Sequence, residues 1–112
     1  MRIAIPVANG RLCAHFGHCE SFAIIDVDME NNSLSSDSTV EAPPHQPGLL
    51  PPWLVQHGVT MVIAGGMGFR AQQLFTAQGI KVLVGAPTDV PAAIVQAWLD
   101  GRLQLGDNLC DH

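Results

Sequence analysis

The stretch from Val59 to Ala64 is apolar but for Thr60, and Gly65-Gly66-Met67-Gly68 follows it directly. A strand with consecutive apolar residues, as from Met61 to Ala64, is one covered on both faces, because a strand with one wet face alternates. The glycines end it abruptly, and Phe69 to Gln78 then predicts a helix with Leu74 and Phe75 facing inward. Gly79 stops that helix just past its last turn. Ile80 to Val84 forms the next strand. A further helix is expected over Pro91–Leu99, capped by Thr88 or Asp89, with Pro91 in its first turn and Gly101 beyond its end. Strands and helices in this alternating order specify parallel strands joined by right-handed crossovers.

The first half has a different rhythm. Ile3 to Val7 is a short apolar strand closed by the Asn9-Gly10 turn signal, and residues 11–19 have no clean period and read as a loop. Ser21 to Asp28 is β-rich, Glu30–Ser33 turns, and Leu34 to Val40 returns as a more polar strand, which makes an antiparallel hairpin. Pro43, Pro44, Pro47, Pro51 and Pro52 then preclude a regular helix interior and indicate an extended surface linker, with a possible role as a docking segment. A helix can begin near Pro51-Pro52 and run through Trp53, Leu54 and Val55 to Gly58. The expected architecture is α/β: one domain over residues 1–112, with three helices packed on a mixed five-stranded sheet. Its first three strands are antiparallel, and its last two run parallel to the first.

Composition excludes several function classes. Five Lys+Arg against ten Asp+Glu give a net charge of −5, with no basic cluster to overturn it, so a nucleic-acid backbone would be repelled. No apolar run approaches the ~20 residues of a membrane span. The opening apolar stretch is too short for a signal core and is interrupted by Pro6. Three cysteines at scattered spacing make a poor disulfide framework, so a cytoplasmic setting with free thiols is expected.

Two constellations carry chemistry. Cys13, His15, His18 and Cys19 fall within seven positions, and Cys110 and His112 form a second pair in the tail. Thiolate and imidazole are soft or borderline donors that suit zinc, copper or iron and not magnesium or calcium. In the bland alternative the loop has a capping histidine and cysteines acting as small apolar residues. The second constellation is Gly65-Gly66-Met67-Gly68-Phe69-Arg70, between strand and helix. Glycines let a ligand approach the backbone, N–H groups at a helix start attract anions, and Arg70 adds a positive charge. The alternative is a turn needed only for tight packing, with Met67 filling a core gap. Trp53 and Trp98 read as packing residues, and His45 and His57 as solvated ones. No C-x-x-C pair, no G-x-S-x-G elbow and no arginine at the phosphatase distance from Cys19 occur, so the chain does not read as an enzyme.

With Ile3-Ala-Ile-Pro-Val, His15-Phe16-Gly17-His18-Cys19 followed by Phe22, Ala64-Gly65-Gly66-Met67-Gly68 leading into Ala71 and Leu74, Gly79-Ile80-Lys81-Val82 and Cys110-Asp111-His112, the chain resembles the dinitrogenase iron-molybdenum cofactor biosynthesis family. That family includes small stand-alone cluster carriers and the molybdenum-copper orange protein type. The resemblance covers essentially the whole chain. It implies a ribonuclease H-like three-layer α/β/α fold without catalysis. It also implies non-covalent binding of an anionic molybdenum-containing metal-sulfide cluster, Mo-Fe-S or Mo-Cu-S, held or handed to another protein. Cargo contacts would come from Arg11, Phe16, Gly17, the backbone N–H groups of Gly66 to Phe69 with Gly65, and Arg70; metal contacts would come from Cys13, His15, His18, Cys19, Cys110 and His112. The implied partners are transient, an assembly protein or an ATPase, with neither nucleic acid nor membrane involved. The competing class is a structural zinc-binding or protein-interaction module, and behind it a thiol-dependent enzyme.

Overall fold

A computed structural model describes residues 1–44, 46 and 48–107. Strands β1 (Arg2–Ala8), β2 (Arg11–Leu12), β3 (Ser21–Asp28) and β4 (Ser33–Glu41) come first, followed by α1 (Leu50–Gln56), β5 (Met61–Ile63), α2 (Phe69–Ala77), β6 (Lys81–Leu83) and α3 (Pro91–Leu99). The sheet order is β4-β3-β1-β5-β6, with β2 paired to β1 alone. The β1–β3 and β3–β4 pairs are antiparallel, and the β1–β5 and β5–β6 pairs are parallel, as the two sequence rhythms require.

The sheet has six strands, not the expected five. The added one comes from residues read as loop. Asn9 and Gly10 both have positive φ (56° and 78°), so the chain folds straight back and Leu12 pairs with Val7. Two positive-φ residues make the tight turn that matches strand twist, and Asn-Gly is its preferred sequence. A second difference is the start of α3. No side chain caps it: its N-cap is Val90, and the Asp89 carboxylate accepts the Val90 N–H at 2.7 Å.

Alternation along the strands sorts the core into two faces. Ile3, Ile5, Ile25, Met61 and Ile63 pack with Ile94 and Val95 of α3 on one side. Ala4, Phe22, Ile24 and Val62 pack with Leu54 of α1 and Phe75 of α2 on the other. Helices therefore cover both faces, which is why β1 from Ile3 onward and all of β5 are apolar. Phe75 is buried as expected, but Leu74 is 38% exposed, because a helix lying on a sheet turns only one stripe inward. Strand β4, at the edge, is mostly exposed and polar.

Candidate functional site

Strands β1 and β5 run side by side, so the chain leaves both at the same end of the sheet. There the two constellations meet. The Phe16 N–H donates to the Gly66 carbonyl at 2.9 Å, and the Gly66 N–H donates to the Ala14 carbonyl at 2.7 Å. This parallel bridge between His15 and Gly66 joins the loops through backbone alone. Gly65 permits the approach, since a Cβ there would lie 3.0 Å from Leu12 Cδ2 and 3.1 Å from the Ala14 oxygen.

Beside the junction lies a cavity of about 350 Å³. Phe16, Gly17 and Cys19, in and after the 3-10 turn Phe16–His18, form one wall; Gly66, Met67 and Gly68 form another. Ala71, Leu74 and Phe75 of α2 form the third. The fourth is built from Ala42 to Pro44, Gln46, Gly48, Leu50 and Pro51, in a stretch that reads from sequence as a surface linker. Phe16 meets Phe75 edge-on at 5.5 Å between centroids, and Met67 is fully buried. No charged side chain is among the lining residues described. The site is apolar and sulfur-bearing, open to solvent at one side.

The cysteines differ in environment. Cys13 is buried and its Sγ donates to the His15 carbonyl at 3.1 Å. Cys19 is half-buried on the cavity wall. Burial pushes its thiol up to about 11 from the ordinary value of 9.0, and the nearby Cys13 adds to the rise, against a lowering by its own backbone N–H. At neutral pH Cys19 is therefore a neutral S–H group, not a ready thiolate.

The structure brings some of the sequence candidates together and not others. Phe16, Gly17, Cys19, Gly66, Met67 and Gly68 line the cavity. His15 and His18 are exposed, with ring centroids 5.6 Å apart, and are not in its wall. Among the described residues no three His, Cys, Asp or Glu side chains group as a metal cage, so Cys13, His15, His18 and Cys19 do not close a structural zinc site. Arg11 lies on β2, 3.6 Å from the Asp89 carboxylate, and does not line the cavity. Phe69 and Arg70 sit exposed in the first turn of α2, outside the lining. The Gly66 N–H, expected to face an anion, is instead spent on Ala14. Cys110, His112 and His45 lie outside the described residues. His57, expected to be solvated, is half-buried against Trp53, with ring centroids 4.3 Å apart and Nδ1 2.8 Å from the Trp53 carbonyl.

The proline segment and the α2 face went unanticipated as lining. A signal was present in the proline segment: the small and rigid residues Ala42 to Pro44 and Gly48 lie between a strand and a helix that must both reach the same end of the sheet.

Known proteins agree with this architecture. Residues 1–101 match the family profile described as dinitrogenase iron-molybdenum cofactor. An uncharacterized protein of Methanocaldococcus jannaschii is 31% identical over 109 residues, covering 93% of this chain and 90% of its own. The crystal structure of PH0822 superposes with a TM-score of 0.86 at 29% identity, over 94% of each chain. The apo form of the orange protein from Desulfovibrio gigas superposes at 0.70 with 25% identity, over 96% of this chain and 93% of that one.

Proposed function

Since the chain belongs to the dinitrogenase iron-molybdenum cofactor family, we propose that the cavity between the Phe16 and Gly66 loops binds an anionic metal-sulfide cluster, molybdenum with iron or copper. The protein carries or stores this cargo for cofactor assembly and performs no catalysis on it. One observation carries the reading: two loops distant in sequence, each with the residue types suited to a soft anion, converge on one sulfur-lined cavity.

Each wall has a task. Phe16 offers polarizable surface to sulfide, which gains dispersion from such contacts, and Met67, fully buried, backs that wall from the core side. Cys19, kept protonated by burial, adds no negative charge and can donate S–H to a cluster sulfide. Helix α2 begins at Gly68, on the wall, so its first-turn amides supply the positive end of its dipole. Arg70 follows in that same turn and forms no ion pair among the described residues. Its guanidinium is the charge that offsets the cargo at the mouth. His15 and His18, exposed beside the junction, contact the metal only at the outer edge of the site, and Arg11, on β2 outside the lining, takes no part. Among the described residues no helix is long and apolar enough to cross a membrane, which suits hand-over to a transient protein partner in the cytoplasm.

The experiment is direct. Purified apoprotein mixed with tetrathiomolybdate and copper should give a stoichiometric coloured complex that survives gel filtration, through sulfide-to-metal charge transfer. Variants Phe16→Ala and Met67→Ala should load poorly. Failure of every such cluster to bind, or normal loading by both variants, refutes the assignment.

A further inference from the structure

We infer that this cavity sorts its cargo by softness and charge density, accepting sulfide-terminated molybdenum anions and rejecting the oxyanion of the same metal, with the Cys19 thiol as the discriminating contact. The inference rests on the cluster-binding reading above and deepens it. Molybdate is a compact dianion held by strong hydrogen bonds to water. It leaves water readily only where charged side chains or several aimed N–H groups replace those bonds.

The described lining contains no Lys, Arg or His side chain. Its polar side chains are two, the Gln46 amide and the Cys19 thiol. Backbone donors at the junction are already spent: Gly66 N–H on the Ala14 carbonyl at 2.7 Å, and Phe16 N–H on the Gly66 carbonyl at 2.9 Å. The first-turn donors of α2 and the Arg70 guanidinium would favour the oxyanion, but Phe69 and Arg70 lie outside the described lining, so they act at the mouth and not on an anion seated within. A hard oxyanion entering this space loses hydration that the walls do not restore.

A sulfide-terminated anion meets the opposite balance. Its charge is spread over larger, weakly hydrated atoms, so less is lost on leaving water. Phe16 and the half-exposed Leu74 on the facing wall return dispersion contacts at close range. The Cys19 S–H is a weak donor, adequate for sulfide and inadequate for oxygen. A serine at that position would supply a strong, hard donor without changing the shape of the wall.

The test is equilibrium dialysis of the intact protein against tetrathiomolybdate and, separately, sodium molybdate, with bound molybdenum read by elemental analysis. The expected preference for tetrathiomolybdate is on the order of a hundredfold, the scale of one unmade hydrogen bond to a charged group. Cys19→Ser should narrow that preference by about tenfold, weakening the sulfide anion and strengthening the oxyanion. Cys19→Ala should weaken tetrathiomolybdate alone. Molybdate bound within about tenfold of tetrathiomolybdate, or a ratio unmoved by Cys19→Ser, overturns the sorting while leaving cluster binding intact. Absence of binding by both anions overturns the cluster-binding reading and the sorting together.

Discussion

Gly85→Ala perturbs the strap that holds the C-terminal segment against the cavity end of the sheet. Gly85 has φ +86°, and its neighbours form a backbone relay. Its N–H donates to the Gly65 carbonyl at 2.7 Å, and its carbonyl accepts the Gly106 N–H at 2.7 Å. An added Cβ would overlap the Gly106 carbonyl oxygen and lie 2.8 and 2.9 Å from the Gly106 carbon and nitrogen. Every atom it meets is backbone, so no rotamer change relieves the overlap. Forcing alanine into positive φ costs roughly 1–2 kcal/mol. Displacing Gly106 breaks one backbone hydrogen bond, roughly 0.5–1.5 kcal/mol. The segment also brings half-buried Leu103 against the α3 side of the core, a contact that loosens with it. Together the substitution should destabilise by about 2–4 kcal/mol. Gly101→Ala is the control, because Gly101 has φ +72° and open space around its missing Cβ. It should lose only the dihedral part, about 1–2 kcal/mol. Urea unfolding followed by Trp fluorescence compares the two, with Trp98 packed on the same core face as Leu103. Equal losses for both variants would show that the Gly85–Gly106 contact does not constrain the chain, and the reasoning would fail.

The remaining predictions concern the cavity and the start of β1. Cys19 alkylation by iodoacetamide should be slow at pH 7.5 and should rise about tenfold per pH unit up to about pH 10, because the thiol titrates near 11; mass mapping that shows a plateau near pH 9 would contradict the burial argument. Met67→Ala removes a fully buried side chain bordering the cavity and should cost about 2–3 kcal/mol in urea unfolding, the low end for such truncations because an open space already adjoins it. Arg70→Ala should leave folding unchanged and weaken cluster uptake by about 1 kcal/mol, the scale of an exposed charge at a helix start; unchanged uptake would remove Arg70 from the site. Arg2 grips Asp26 with two hydrogen bonds, at 2.7 and 3.1 Å, and with help from Ser36 holds its carboxyl below the usual carboxylate range. That contribution is present above the unfolded pKa and is lost as pH falls through the lower folded value. Asp26→Asn should therefore be less stable at pH 7 and should lose less of its stability between pH 5 and pH 2 than the parent, measured by urea midpoints.

Much of this molecule is legible in its sequence, for reasons of period. The nearly continuous apolar run at Val59–Ala64 requires cover on both faces, and the structure places α1 and α2 on one side and α3 on the other. Pro91 and Gly101 bracket α3 at the expected residues, because each acts through its own backbone dihedral. The Phe16 and Gly66 loops stand out by residue type alone as the two constellations that the structure joins. Tertiary structure decided what local pattern does not carry. Strand β2 is two residues long, too short for any period, and exists only because β1 is there to pair with it. The proline segment reads as a linker since its prolines speak only of dihedrals; its role as a cavity wall arises where β4 delivers it across from α2. The separation of Cys19 from the two histidines is likewise invisible in spacing. The 3-10 turn at Phe16–His18 sets which of these neighbours faces the cavity, and a one-residue rotation in so tight a turn reverses the answer.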